Sequence, residues 1–260
     1  MMTIWKDIVN FFFPRYCVSC GERLSLQEKY LCLTCLATLP RTNSHMFRET
    51  ILEQVFWGRI PVVRAVSFFF HEGDNTKSII WTMKYNSLPQ LGQYIAQIYA
   101  REIKDSSFFD GIDAIVPVPL SWVKHMKRGY NQSHYIAKGI SHETGIPIVT
   151  NAVRKTRNTV SQTNFNKMMR LENVDDVFTL VHPKLLRGKH ILLVDDVLTT
   201  GATLCSLAKA IMPAGNVRFS VLTLSLAGQF KGVPYTRDAG DKDIPPLKVY
   251  NDAMNEKNKE

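Results

Sequence analysis

The stretch ILLVDDVLTTGAT at residues 191–203 decides how this chain is read. Its opening run, His190–Asp195, is apolar without polar alternation, the pattern of a strand buried on both faces of a parallel sheet. That strand delivers Asp195 and Asp196 to the carboxyl edge of the sheet, where neighbouring side chains point in different directions. The pair can address two hydroxyls, or a hydroxyl and a metal-bound water. The turn Thr199–Thr200–Gly201–Ala202–Thr203 then enters a helix, whose unpaired N–H groups, dipole and three neighbouring hydroxyls make a phosphate cradle. Gly201 lets a ligand approach the backbone closely. Acidic residues for ribose hydroxyls followed by a phosphate cradle describe a ribose-5-phosphate site. Neither a Walker loop nor G-x-G-x-x-G occurs, so an NTPase and a dinucleotide-binding protein find no support. The plainer alternative is a strand ending in two solvated aspartates, with Thr199 or Thr200 as an ordinary helix cap. Strand, acid pair, hydroxyl-rich turn and helix in that order weigh against it.

Outward from this stretch, residues 60–228 alternate strand-like and helical patterns. Strands are expected at Val62–Phe70, Ala114–Pro119, 146–149 and Val217–Leu226. Helices are expected from Asp74 or Asn75 to about Tyr85, from Leu88 to Lys104, from about Ser133 to Glu143, and from Ala202 to Met212. The fold class is α/β: an open parallel sheet with helices on both faces, binding ligands beyond the carboxyl ends of its strands. A small N-terminal four-cysteine module is added. The division expected is a zinc-ribbon-like module at 1–45, a hood or linker at 46–110, the core at 111–228, and a polar, poorly ordered tail at 229–260.

Four of the five cysteines form two C-x-x-C knuckles, Cys17/Cys20 and Cys32/Cys35, eleven residues apart. Such knuckles present four thiolates tetrahedrally, the usual construction of a structural Zn²⁺ site. Two disulfides, or four unrelated thiols, are the competing readings. The remaining cysteine, Cys205, reads as a small core residue.

A chain of 260 residues with 45% hydrophobic residues can bury a real core, which excludes a disordered polypeptide and a disulfide miniprotein. No run of 18 apolar residues suggests a membrane span, and no A-x-A cleavage site follows the apolar start, so a cytoplasmic location is expected. The chain carries 32 Lys and Arg against 23 Asp and Glu, net +9. This basicity is local. Positions 124–170 hold nine basic residues and one acidic residue, Glu143, a net +8 in that window alone. Lys124, Lys127 and Arg128 follow the strand V-P-V-P, and Arg154, Lys155 and Arg157 lie in a long hydroxyl-rich connection at 151–170. Basic side chains there suit a diphosphate leaving group, and the connection has the composition of a closing flap. A solvated basic face or a nucleic-acid-binding surface is the alternative. Against direct nucleic-acid binding, the basic cluster lacks an obvious interleaved aromatic platform: only Trp122, Tyr130, Tyr135 and Phe165 lie near it.

The 191–203 stretch resembles the signature of type I phosphoribosyltransferases. The order of motifs over residues 12–226 resembles the competence-protein ComF/GntX-type members of that group. The shared pieces are the paired C-x-x-C, I-x-x-M-K-Y at Ile80–Tyr85, V-P-V-P at 116–119, R-G-Y-N-Q at 128–132, R-K-T-x-x-T-x-x-Q at 154–162 and the signature itself. Ala202 stands where many members have a second glycine, which should not abolish the cradle. The resemblance implies binding of 5-phosphoribosyl-1-diphosphate (PRPP). Asp195 and Asp196 would meet the ribose hydroxyls, and Thr199, Thr200, Gly201, Ala202 and Thr203 would wrap the 5′-phosphate. Lys124, Arg128, Gly129, Arg154, Lys155 and Arg157 would face the diphosphate, with Mg²⁺ bridging diphosphate and ribose. It also implies a part in uptake of single-stranded DNA alongside a helicase-like partner.

Three functions follow as expectations. The first is phosphoribosyl transfer to an unidentified acceptor, in which His125 and Lys84 are candidates for proton transfer or charge neutralisation. The second is a non-catalytic DNA-uptake factor that keeps the fold for nucleotide sensing or partner docking. The third is a scaffold whose 1–45 module binds the helicase-like partner.

Overall fold

The computed structural model describes residues 12–156 and 178–227. Arg157, most of the expected flap and the 229–260 tail lie outside them. A four-stranded sheet carries the molecule, built from β1 (Val62–His71), β2 (Ala114–Pro117), β5 (His190–Leu198) and β6 (Arg218–Ala227). Its order is β1-β6-β5-β2 and every pairing is parallel. A separate antiparallel ribbon, β3 (Val153–Lys155) with β4 (Phe178–Leu180), flanks residues 157–177.

Period-two alternation along the strands sends side chains into two cores. Val66, Ile115, Leu192, Val194, Leu222 and Leu224 join one cluster with α3 (Gly73–Tyr85), α4 (Gln90–Glu102) and α6 (Gln132–Thr144). Ala65, Val116, Ile191, Leu193, Phe219 and Val221 join the other with α2 (Ile51–Gln54) and α7 (Ala202–Ile211). Both faces are therefore covered, as the apolar strands require. The strand after which the chain turns to one face is β2, through α6; from β5 it turns to the other, through α7. A crevice opens at the carboxyl ends of β2 and β5, where ligands bind in open α/β sheets.

Four features differ from the sequence reading. Residues 62–71, placed in the hood or linker at 46–110, supply an edge strand of the main sheet, so the sheet begins well before 111. The expected strand at 146–149 is a single parallel bridge, Ile115 to Ile148, because Pro147 has no N–H to extend a ladder. The loop after V-P-V-P contains a short helix, α5 (Trp122–Arg128), capped by the Ser121 hydroxyl and closed by Gly129 at φ +78°. Finally, β5 runs on to Leu198, with Asp195 paired to Thr223 and Val197 to Ser225, so the acid pair sits inside the strand. It still lies beyond the end of β2, whose last partner is Val194.

The N-terminal module contains α1 (Leu33–Ala37) and docks on the α3/α4 face. Its Leu24, Leu31 and Leu39 are buried in the same cluster as Leu91 and Tyr99. Tyr30 meets Tyr94 edge-on at 5.4 Å. Beyond it the chain covers the open edge of β1, with Thr42 and Phe70 donating backbone hydrogen bonds to Phe68 and Pro40. Among the described residues, no helix is long and apolar enough to cross a membrane.

Candidate functional site

Two carboxylates occupy the crevice, each met by a different element. Ser133, at the start of α6, donates its hydroxyl to Asp195 Oδ1 at 3.0 Å, and the Asp196 N–H reaches the same oxygen at 2.9 Å. Lys84, at the end of α3, pairs with Asp196 Oδ2 at 3.1 Å. Asp196 is buried and Asp195 half-buried. Burial, then the neighbouring Asp196 charge, pushes the Asp195 carboxyl up to about 7, against the opposing pull of its hydrogen bonds and Lys84. A pair of carboxyls this close holds one of them protonated or invites a cation or hydroxyl donors.

R-G-Y-N-Q turns out to be a clamp that places Ser133. Arg128 bonds the Gln132 amide oxygen at 3.0 Å and lies 5.1 Å from the Tyr85 ring centre. Tyr130 donates to the Met83 carbonyl at 2.8 Å, tying the turn to α3. The Asn131 amide donates to the Val118 carbonyl, and its oxygen caps α6 through the Ser133 N–H. The Arg128 guanidinium is thus half-buried at the rim, held by Gln132 and lying over the exposed Tyr85 ring.

Thr199, Gly201, Ala202 and Thr203 line a shallow depression together with Asp195, Val197, Leu198 and Leu204. Gly201 caps α7 at φ +70°, a conformation that favours glycine. A Cβ there would also stand 2.7 Å from Val55 Cγ1 and 3.0 Å from Phe56 Cε1, so the turn rests on the segment after α2. The N–H groups of the first turn of α7 have no carbonyl of their own helix to pair with, and the helix dipole adds positive potential. Acid pair and anion cradle thus share one strand–turn–helix unit.

Of the basic residues, Lys155 on β3 packs 5.2 Å from the Phe178 ring centre. Burial, then the charge of Lys124, lowers its pKa, while Asp195 opposes the shift. Lys155 therefore lies within electrostatic reach of both Lys124 and Asp195. Arg154 is exposed on the same ribbon, Lys124 and His125 are exposed on α5, and Gly129 serves as the α5 cap. Ser133, read only as a helix start, escaped sequence reasoning in this role; Lys84, a candidate for charge neutralisation, pairs with Asp196 through a contact that no local spacing announces. Only the pairing of sequence-distant elements brings them in.

The four N-terminal thiols converge. All four Sγ atoms lie within 4.8 Å of one another, none is in a disulfide, and Cys20 and Cys32 are 3.7 Å apart. A tetrahedron with Zn–S of about 2.3 Å has S···S edges of about 3.8 Å, so the donor set fits a zinc module. Burial opposes ionisation of Cys17, but backbone N–H groups including those of Cys20 and Cys32 outweigh it and bring the thiol down to about 7. Burial pushes Cys35 up to about 12. Cys205 is buried and its pKa raised by that burial, consistent with a core role.

Comparison with known proteins agrees with this architecture. Residues 63–229 match the model of the family described as phosphoribosyl transferase domain. The chain is 27% identical over 212 residues to the DNA utilization protein YhgH of Escherichia coli K12, covering 80% of this chain and 88% of that protein. It is 25% identical over 219 residues to the Competence protein F of Haemophilus influenzae, covering 83% and 86%. Among solved structures, an allosteric regulatory enzyme of purine biosynthesis aligns at 20% identity and a TM-score of 0.37, over 55% of this chain and 30% of that one. With residues 63–229 matched by the family model, and with relatives named DNA utilization protein and Competence protein F covering 80% or more of the chain, this chain belongs to the ComF-type phosphoribosyltransferase-like family.

Proposed function

We propose that this chain binds PRPP, or a closely related phosphoribosyl ligand, in the crevice at the carboxyl ends of β2 and β5. One observation carries the reading: a carboxylate pair and a Gly201-centred anion cradle on one strand–turn–helix unit, with Lys155 in electrostatic reach of Asp195. Both observed donors to Asp195 fall on Oδ1, so its Oδ2 can accept from a ribose hydroxyl, as can Asp196. Thr199 to Thr203 would take the 5′-phosphate through backbone N–H groups and hydroxyls. Lys124, Arg154 and Lys155, with Arg157 beyond the described residues, would neutralise the diphosphate, while Arg128 and Gly129 shape the rim.

The acid pair also fits Mg²⁺. Hard carboxylate oxygens, one of them with its pKa raised by burial and then by its neighbour's charge, are the donor chemistry a divalent cation relieves. Asp195 and Asp196 would hold it directly or through hydroxyls, and bound with PRPP it would supply charge neutralisation on the diphosphate. In the transfer reaction, an acceptor nucleophile would bond to C1 of the ribose as the C1–O bond to diphosphate breaks, with the lysines stabilising the departing charge. Cys17, Cys20, Cys32 and Cys35 would hold Zn²⁺ in a closed structural site with no position left for a substrate.

The relatives' names extend the proposal to DNA uptake. A second, non-catalytic reading has its own support. Trp81 and Tyr85 are exposed on α3 with rings 5.8 Å apart, and Arg128 lies over Tyr85. The aromatic platform missed in the sequence is thus assembled from two separate segments, and it suits single-stranded DNA. Incubating the protein with labelled Mg²⁺-PRPP and a panel of bases, nucleotides and DNA, then measuring retained PRPP and freed diphosphate, separates the readings. Diphosphate released with one acceptor establishes transfer. PRPP retained without release supports the non-catalytic role, and no retention overturns the site.

A further inference from the structure

The cradle is held from behind by a residue that no motif singles out. Arg59 follows α2 and lies outside residues 63–229, the part matched by the family model. One of its terminal nitrogens, Nη1, donates to the Thr200 carbonyl at 2.7 Å and to the Val55 carbonyl at 3.1 Å. Its bridge therefore joins the support, residues 55–59, to the turn at 199–203. That support is itself fixed. Glu53 in α2 pairs with Arg64 of β1 at 3.1 Å, both nearly fully buried, and Glu53 also completes a capping box with Thr50. Val55 and Phe56 are buried against Gly201.

The consequence follows from the planarity of the peptide unit. In a trans peptide the carbonyl and the next N–H point in opposite directions. Pinning the Thr200 carbonyl onto Arg59, on the α2 side, aims the Gly201 N–H to the opposite side, towards the depression lined by Thr199, Ala202 and Thr203. From this geometry we infer that Arg59 is a positioning residue for anion binding: it fixes the Thr200–Gly201 peptide so that the cradle presents an N–H to phosphate before any ligand arrives. Pre-orientation of this kind spares the ligand the cost of ordering the turn. The inference rests on the phosphoribosyl reading of the site for its ligand, but not for the pinned peptide.

Two measurements on ¹⁵N-labelled protein test it. In ligand-free Arg59→Met, the Gly201 amide resonance should move well away from its wild-type position, and in Arg59→Lys, which keeps a donor and the charge, it should move much less. An unchanged Gly201 resonance in Arg59→Met would overturn the pinning outright. Titration with ribose 5-phosphate should then show about tenfold weaker binding to Arg59→Met, and binding within about threefold of wild type for Arg59→Lys. Melting temperatures should agree within about 2 °C, because Arg59 is exposed. A lowered melting temperature with unchanged affinity would mean a purely structural bond and overturn the positioning role. If wild-type protein bound no ribose 5-phosphate, the phosphoribosyl reading would fall, and with it the ligand half of the inference; the Gly201 resonance would still decide the other half.

Discussion

Gly201→Ala is expected to lower the melting temperature by about 6–12 °C and to weaken PRPP binding at least tenfold. Two costs add. At φ +70° an alanine pays roughly 1–2 kcal/mol for the left-handed conformation. Its Cβ would stand 2.7 Å from Val55 and 3.0 Å from Phe56, both buried, so neither can swing away, and overpacking of that kind costs about 1–3 kcal/mol. The sum, about 2–5 kcal/mol, maps onto several degrees for a domain of this size. The turn would relieve the clash by lifting off Val55, which carries the Thr200 and Gly201 peptides out of line with a bound phosphate. Thermal denaturation and calorimetry check both parts. A variant that melts within 2 °C of wild type would show that the turn does not rest on Phe56 as described.

Metal removal is expected to have the second large effect. The purified protein should carry one zinc per chain. Prolonged chelation, or Cys35→Ser, should release it and lower the melting temperature by more than 10 °C. The reason is that the module is part of the core. Leu24, Leu31 and Leu39 are buried with the α3/α4 face, and at about 1.5–3 kcal/mol per buried leucine their exposure costs roughly 5–9 kcal/mol. A module of that size, whose described loops carry the short helix α1, has little besides the thiolate cluster and its buried leucines to hold those loops together. Elemental analysis and thermal melts with and without chelator are the measurements. A metal-free protein whose four thiols form two disulfides, melting unchanged after chelation, would contradict this.

Much of the site was legible in the sequence because its chemistry is local. The acid pair, Thr199, Thr200 and Gly201 lie within seven residues, and the same short stretch sets strand, turn and helix. The cysteine knuckles are likewise fixed by short spacings that the fold only had to close, bringing the four sulfurs within 4.8 Å. What escaped depends on elements distant in sequence. Lys84 meets Asp196 only because α3 ends over the carboxyl edge of the sheet, and Trp81, Tyr85 and Arg128 become one surface only when the last residue of α5 meets the last residue of α3. The role of R-G-Y-N-Q was hidden for the same reason. Its arginine reads as a diphosphate ligand in one dimension, and in three dimensions it also braces a turn through Gln132 and Tyr85. The boundary placed at 111 reflects a further limit. Val62–His71 reads as a strand from its β-branched and aromatic residues, but nothing local says that it joins the sheet beside β6.

Calorimetric titration of Mg²⁺-PRPP into wild-type protein and into the Asp195→Ala/Asp196→Ala double variant tests the central claim most directly. Wild type should saturate at one ligand per chain. The double variant should give no binding heat while remaining folded by circular dichroism, because both substitutions remove charge from an acid pair whose Asp195 is held uncomfortably by its neighbour. Equal affinity in the two proteins, or no saturation in wild type, would contradict the account.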